Sequence, residues 1–143
     1  MAVMKRSPLN ALIRVRRIAL DDTRRVLVQC LEAEEVAARA RTDAEASIHR
    51  ELEVAESLTE GDAAVEAFAV WLPSARERLR LAEAAQTRVA AETARARAAL
   101  AVARGSYEAA AEADAHHRAA ERAKLQGREQ AALDEFASQA RKQ

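Results

Sequence analysis

The sequence has little of what a compact globular core requires. Its 143 residues include only three glycines, two prolines, two phenylalanines, one tyrosine and one tryptophan. Sheets draw heavily on aromatic side chains and on turn residues, so this scarcity argues against a β or α/β core. The single cysteine, Cys30, excludes an internal disulfide, which fits a reducing compartment such as the cytoplasm.

Net charge and long apolar runs are also missing. The formal net charge is zero, so no field of the whole protein recruits nucleic acid or a membrane. No apolar run approaches the roughly 20 residues that a bilayer requires, and arginines interrupt the segment where a signal peptide would carry its apolar core. Charge and alanine are abundant instead: 32% of the residues are charged, as in long helices and coiled coils.

A seven-residue repeat between Arg76 and His117 predicts a long helix with one narrow contact face. We call this face the seam. Most of its side chains are small, so we expect a thin seam and a closely approaching partner helix. Its positions are Leu79, Gln86, Thr93, Leu100, Tyr107 and Asp114, each followed three residues later by Ala82, Val89, Ala96, Ala103, Ala110 and His117.

An earlier segment predicts the partner helix. Ser7 and Pro8 form a helix start, because the serine can cap free amides and proline fits the first helical position. We expect helix 1 over about 8–58, ended by Gly61 as a left-handed cap. Its apolar residues recur at helical spacing: Ile13, Leu20, Leu27, Cys30, Ala37, Ala44, Ile48, Leu52, Ala55 and Leu58.

Residues 59–73 predict a turn with a short helix. Asp62 can cap a helix from Ala63 to Leu72, and Pro73 should break it. Ser74 and Glu77 then fit a capping box that starts helix 2, expected over about 75–139.

Two long helices with a short connection predict an all-α fold, a long two-helix antiparallel coiled-coil hairpin in one domain over 1–143. The expected register pairs Ile13 with His117, Cys30 with Leu100, and Leu58 with Leu72. Glu34 and Arg41 then join Gln86 and Thr93 in a polar middle of the seam, which fixes register at a cost in stability. We expect this middle to be marginally stable and flexible.

The same register leaves helix 2 about twenty residues longer than helix 1 can cover, roughly 30 Å. An apolar stripe there lacks cover from its own chain, which marks a partner surface: Leu125, Ala132, Leu133, Phe136 and Ala140. The start of helix 1 adds cations against only Asp21 and Asp22: Lys5, Arg6, Arg14, Arg16, Arg17, Arg24 and Arg25. One end is basic and the other aromatic.

Other chemistry is disfavoured. His116 and His117 with Asp114 and Glu121 form a weak candidate metal cluster, because His117 continues the seam and no second ligand pair comes near. Cys30 occupies a seam position, where a small buried side chain explains it. No phosphate loop or catalytic triad is present, so we expect no enzyme and no cofactor. The scattered arginines suit a solvated flank better than a nucleic-acid arm.

Three segments resemble the flagellar export FliJ family, with the virulence-secretion YscO proteins as distant counterparts. They are the leucine-rich, basic opening LNALIRVRRIALDDTRRVL, the central EAFAVWLPSARERL and the ending ALDEFASQARKQ, which contains Asp134, Glu135, Phe136 and Ala137. The resemblance covers nearly the whole chain, and its most distinctive part is the last segment.

The resemblance implies a non-enzymatic stalk, monomeric when free, that enters and stimulates a hexameric export ATPase in the cytoplasm at the inner membrane. It implies contacts with the cytoplasmic domain of the export gate and with export chaperones. The pore-entering residues would be Leu125, Leu133, Phe136, Arg14, Arg17 and Arg24. The gate would meet Phe68, Trp71, Ala75 and Leu79.

Three alternatives stay open: a virulence-type secretion stalk, a structural coiled coil that self-associates through its alanine seam, and a basic nucleic-acid-binding arm.

Overall fold

The computed structural model describes residues 7–57 and 61–143. They form two long helices that pack against each other, α1 (Leu9–Glu56) and α2 (Gly61–Arg141), and no strand occurs in these two ranges. The predicted all-α, two-helix fold is confirmed. The predicted end of helix 1 at Leu58 and its pairing with Leu72 lie outside the described residues.

The start of α1 is capped by Ser7. Its hydroxyl accepts a hydrogen bond from the Leu9 backbone N–H at 3.3 Å, and its carbonyl accepts one from the Asn10 N–H at 3.0 Å. Two of the four amides that a helix start leaves unpaired are thereby satisfied. Pro8 precedes the helix without the loss of a needed donor, as the sequence predicted.

The start of α2 differs from the prediction. Gly61 has a φ of 72°, the left-handed conformation expected of it. However, helix begins at this residue and continues through Pro73 to Arg141. The prediction of a separate short helix, broken by Pro73, is therefore wrong. A proline inside a helix removes one backbone hydrogen bond, and packing of α2 on both sides of Pro73 outweighs that loss: Trp71 is half-buried and Ala75 is only 3% exposed.

The capping box is also wrong, because its two residues lie inside α2. The Ser74 hydroxyl donates to the Trp71 carbonyl at 2.9 Å. Glu77 pairs with Arg80 instead, through hydrogen bonds of 2.9 and 2.6 Å. These bonds from Arg80 lower the pKa of Glu77 below its ordinary value.

Where the sequence predicted one domain, contacts within the chain group into two compact units, Met1–Asp22 with Ala101–Gln143, and Thr23–Leu100. We call them the terminal unit and the central unit. Each contains a segment of α1 and a segment of α2.

In the central unit the two helix segments run antiparallel. Arg41 of α1 donates to Gln86 of α2 at 3.1 Å, and nearer the end of α1, Ala55 lies in one groove with Phe68 and Trp71. The buried side chains of this unit are Ala37, Ala55, Ala75, Val89, Thr93 and Ala96. The sequence assigned all of them to the contact faces except Ala75, which the resemblance assigned to the gate contact. The core is thus a single line of small side chains.

The polar middle of the seam is confirmed in the central unit. Thr93 is buried, and its hydroxyl donates a hydrogen bond to the Val89 carbonyl at 3.1 Å. Arg41 stays partly exposed and bonds Glu45 as well as Gln86, both at 3.1 Å. These polar groups find partners within the chain, which limits the cost of placing them in the seam.

In the terminal unit the helix segments also run antiparallel, since Asn10 lies by Arg118 and Arg17 by Tyr107. The first contact is within a few residues of the predicted pairing of Ile13 with His117, whereas the second is displaced by more than one turn. The buried residues of this unit are Leu20, Ala110 and Asp114. Across the whole described chain no side chain is fully buried, as a thin seam requires.

Candidate functional site: the exposed end of α2

From residue 118 to residue 141, every side chain of α2 is exposed. We call this segment the overhang. At about 1.5 Å per residue it is roughly 36 Å long. All seam positions before it, from Leu79 to His117, are buried or half-buried. The predicted loss of cover beyond the start of α1 is therefore confirmed within the terminal unit.

The overhang carries the apolar stripe that the sequence singled out. Leu125, Leu133 and Phe136 are 57%, 63% and 73% exposed. Leu125 lies eleven residues after Asp114, and Phe136 eleven after Leu125, so each step makes about three turns and rotates by only about 20°. The stripe thus continues the face that α2 turns toward α1 at Asp114.

The contact of α1 with α2 ends at a polar junction. Arg118 lies at this point, with its Nε 2.9 Å from Oδ2 of Asp114 and its Nη2 donating to Oδ1 of Asn10 at 3.4 Å. Asp114 is only 7% exposed, and its Oδ1 has no hydrogen-bond partner among the described residues. An unsatisfied buried oxygen typically costs about 1–3 kcal/mol, so the last covered turn of α2 is held weakly.

An open groove of about 730 Å³ lies beside this junction. Residues from the start of α1, Ser7 and Asn10, form one side. The other side comes from α2 and is rich in cations: Ala115, His117, Arg118, Glu121, Arg122, Lys124, Leu125 and Arg128. The groove is therefore lined by one exposed leucine, four positive charges and one carboxylate.

The structure separates the predicted cations of α1 from the apolar stripe. Arg17 donates to the Tyr107 hydroxyl at 2.9 Å and lies 5.6 Å from the centre of its ring. This hydrogen bond raises the pKa of Arg17 above its ordinary value, and the electrostatic interaction with Tyr107 adds to it; burial opposes this shift, and the charge of Asp21 adds a lesser contribution. Tyr107 precedes Leu125 by about 27 Å of helix and Phe136 by about 43 Å.

The remaining predicted cations are divided between the units. Arg14 is exposed in the terminal unit, whereas Arg24 belongs to the central unit. The cations that do lie beside Leu125 are those of α2 itself, Arg118, Arg122, Lys124 and Arg128, which sequence reasoning missed. The available signal was the four-residue spacing of Arg118 and Arg122 and of Lys124 and Arg128, because residues four apart are neighbours on a helix.

The aromatic end of α2 forms a second surface, in the central unit. The rings of Phe68 and Trp71 are 6.0 Å apart, and the Arg78 guanidinium lies 5.7 Å from the Trp71 ring. Phe68 and Trp71 are half-buried against the end of α1, Leu79 is half-buried, and Ala75 is buried. Val70 is 82% exposed, on the side of α2 that faces away from Phe68 and Ala75.

The disfavoured sites have ordinary surroundings. Arg118 pairs with Asp114, and the exposed His116 lies 3.7 Å from Glu112. In the part of the chain that the structure describes, no three histidine, cysteine or acidic side chains are grouped for a metal ion. Cys30 is half-buried in the seam, as predicted, and His49 is exposed.

Neither described helix contains a stretch long and apolar enough to cross a bilayer. Comparisons with protein-family models, with curated proteins and with solved structures found no match to this chain.

Proposed function

We propose that the protein is a non-enzymatic stalk of a flagellar type III protein export apparatus. In this proposal it inserts the overhang into a hexameric export ATPase and stimulates hydrolysis. It links the ATPase to the cytoplasmic domain of the export gate and escorts export chaperones. The protein would act in the cytoplasm and reach the inner membrane only through these partners.

One observation carries the proposal: a helix whose contact face is covered over most of its length ends in about 36 Å that is exposed. That segment keeps an apolar stripe, with Phe136 73% exposed. An exposed apolar stripe on a helix usually marks a surface that binds a partner, for example by lying in an apolar groove. The resemblance of this segment to the FliJ family supports a hexameric export ATPase as that partner.

In this proposal, the residues that enter the ring first all belong to α2. Leu125, Leu133 and Phe136 supply the apolar contacts. Arg118, Arg122, Lys124 and Arg128 supply the charges next to Leu125, a position that Arg14 and Arg17 do not share in the terminal unit. We expect Arg14 and Arg17 to act later in insertion, if the ring advances along the helix toward Tyr107.

The gate contact is proposed at the aromatic end of α2. Phe68 and Trp71 are half-buried and present part of their rings. Leu79 offers a smaller area. Ala75 is buried against α1, so it would support the surface rather than touch the gate.

The test is ATP hydrolysis by the purified hexameric export ATPase of the same cell, with and without this protein. Replacing both Leu133 and Phe136 with aspartate should abolish stimulation, because charged side chains cannot cover an apolar ring surface. Circular dichroism should show unchanged helix content, since both side chains are exposed.

The matched control replaces Ala131 and Ser138 with aspartate. These residues lie on the other side of the overhang and add the same two charges, so stimulation should persist. Equal stimulation by the Leu133/Phe136 variant and the wild type would refute the assignment of the tip.

The alternative of self-association through the alanine seam has less support, because the seam of α2 is already covered within each unit. A virulence-type apparatus would use the same stalk geometry. The partner ATPase that responds in the assay distinguishes the two systems.

A further inference from the structure

The charges of the overhang change sign along its length. Its first half is basic, with Arg118, Arg122, Lys124 and Arg128 against Glu121. The following turns carry the acidic residues Glu129, Asp134 and Glu135, and Arg141 and Lys142 come after them. Charges of both signs therefore recur along this segment, so its fit to a second copy depends on which charges share one side of the helix.

One flank of the apolar stripe shows this complementarity residue by residue. Glu121, Arg128, Glu135 and Lys142 follow one another at steps of seven with alternating sign. Residues at such steps stay on one side of a helix. In an antiparallel pair, Arg128 would lie opposite Glu135 of the second copy, and Glu121 opposite its Lys142, each contact occurring twice.

The apolar stripe fits the same register. Pairing that joins Arg128 to Glu135 brings Leu125 within about half a turn of Phe136 of the second copy. Both of these side chains are exposed, and Ala132 lies between them near the centre of the pair. A parallel pair would put this flank of one helix and the same flank of the other on opposite sides of the contact, so Arg128 and Glu135 would not meet.

We propose that the overhang binds the overhang of a second copy of this chain in an antiparallel helix pair. The two-fold contact covers Leu125 and Phe136. It is a short interface rich in alanine, at the small end of protein interfaces, so the dimer is weak and reversible. The inference does not depend on an export ATPase. If the proposed function holds as well, dimer and ring compete for the same stripe.

Charge exchange at one pair tests the proposal. The full-length protein is followed by sedimentation velocity from about 1 µM to about 200 µM, a range suited to weak association. The wild type should change from monomer to dimer across this range. Arg128→Glu and Glu135→Arg should each weaken dimerisation at least tenfold, because each places like charges opposite one another twice.

Two combinations should restore the dimer. The double variant Arg128→Glu/Glu135→Arg again pairs opposite charges, and so does an equimolar mixture of the two single variants. Arg141→Glu, on the other side of the helix, should leave dimerisation unchanged. A wild type that stays monomeric throughout, or single variants that dimerise as well as the wild type, would overturn the proposal.

The orientation has its own measurement. In a Cys30→Ala background, Arg122→Cys and Gln139→Cys are placed to meet across an antiparallel pair, in the same register as Leu125 and Phe136. Mild oxidation of their mixture should give a disulfide-linked dimer, whereas each variant alone should give little. Cross-linking of each variant with itself, and none between them, would show a parallel pair and refute the register. None of these changes touches Leu133 or Phe136, so a failed dimer leaves the ATPase assignment intact.

Discussion

The covered and exposed parts of α2 differ in their surroundings more than in their composition. Both are rich in alanine and in charged residues, and both carry a line of apolar side chains. In the covered part, Val89 and Ala96 are 8% and 6% exposed. In the overhang, Leu133 and Phe136 are 63% and 73% exposed. The larger apolar residues are thus on the surface, and the smaller ones are inside.

This inversion separates two uses of apolar side chains. In the seam, small residues let two helices approach closely, and the stability comes from many weak contacts over a long line. In the overhang, large residues stand apart from one another on a solvated helix. They contribute little to folding and retain their apolar area for binding.

The largest difference in stability is expected between two alanine-to-aspartate substitutions, one in the covered part of α2 and one in the overhang. Ala96→Asp buries an unpaired carboxylate in the seam, which should lower the free energy of unfolding by about 3 kcal/mol or more. Ala132→Asp in the overhang should cost only the helix propensity of aspartate, below about 0.7 kcal/mol. Urea denaturation followed by circular dichroism measures both. Similar losses for the two variants would mean that the overhang is covered in solution.

A medium effect is expected where the cover ends. Asp114→Leu removes a buried carboxylate whose Oδ1 lacks a hydrogen bond, so it should stabilise the protein by about 1–2 kcal/mol. Glu112→Leu changes a neighbouring carboxylate that is 75% exposed and should alter the free energy of unfolding by less than about 0.5 kcal/mol. Thermal unfolding of both variants gives the comparison. Destabilisation by Asp114→Leu would show that this carboxylate is fully paired in solution.

The smallest effect concerns the two glycines inside α2. Gly105 and Gly127 both have free space where a Cβ would be, so alanine should favour helix at each by about 1 kcal/mol. At residue 105 this gain should appear in global unfolding. At residue 127 it should appear only as slower amide hydrogen exchange in the overhang, because that segment opens independently of the seam. Equal gains in global stability would remove the distinction between the two parts.

The sequence was sufficient to predict the fold and the loss of cover, because both depend on periodicity. Steps of seven identified Val89, Thr93, Ala96 and Ala110 as contact residues, and all four are buried. The apolar spacing of helix 2 also continued past His117, beyond the point that helix 1 can cover, and this predicted the loss of cover. These are properties of spacing along one chain, so they need no knowledge of side-chain geometry.

The errors arose where local rules competed with packing. Pro73 is a strong helix breaker in isolation, but Trp71 and Ala75 anchor α2 on both sides of it. The role of Arg17 depended on a neighbour in the other helix, Tyr107, which no spacing within α1 indicates. Arg118 was overlooked because Asp114 was assigned to the seam and to a weak candidate metal cluster, and not to an ion pair.

The ion pair at Asp114 has a consequence for how the molecule opens. The contact between α1 and α2 ends at a buried carboxylate with one oxygen that lacks a hydrogen bond, so the two helices separate there before they separate anywhere else. The first turns of α1 are therefore free to peel from α2 while Val89 and Ala96 stay packed, and the exposed segment lengthens without global unfolding. Its reach toward a binding partner becomes adjustable rather than fixed by the chain.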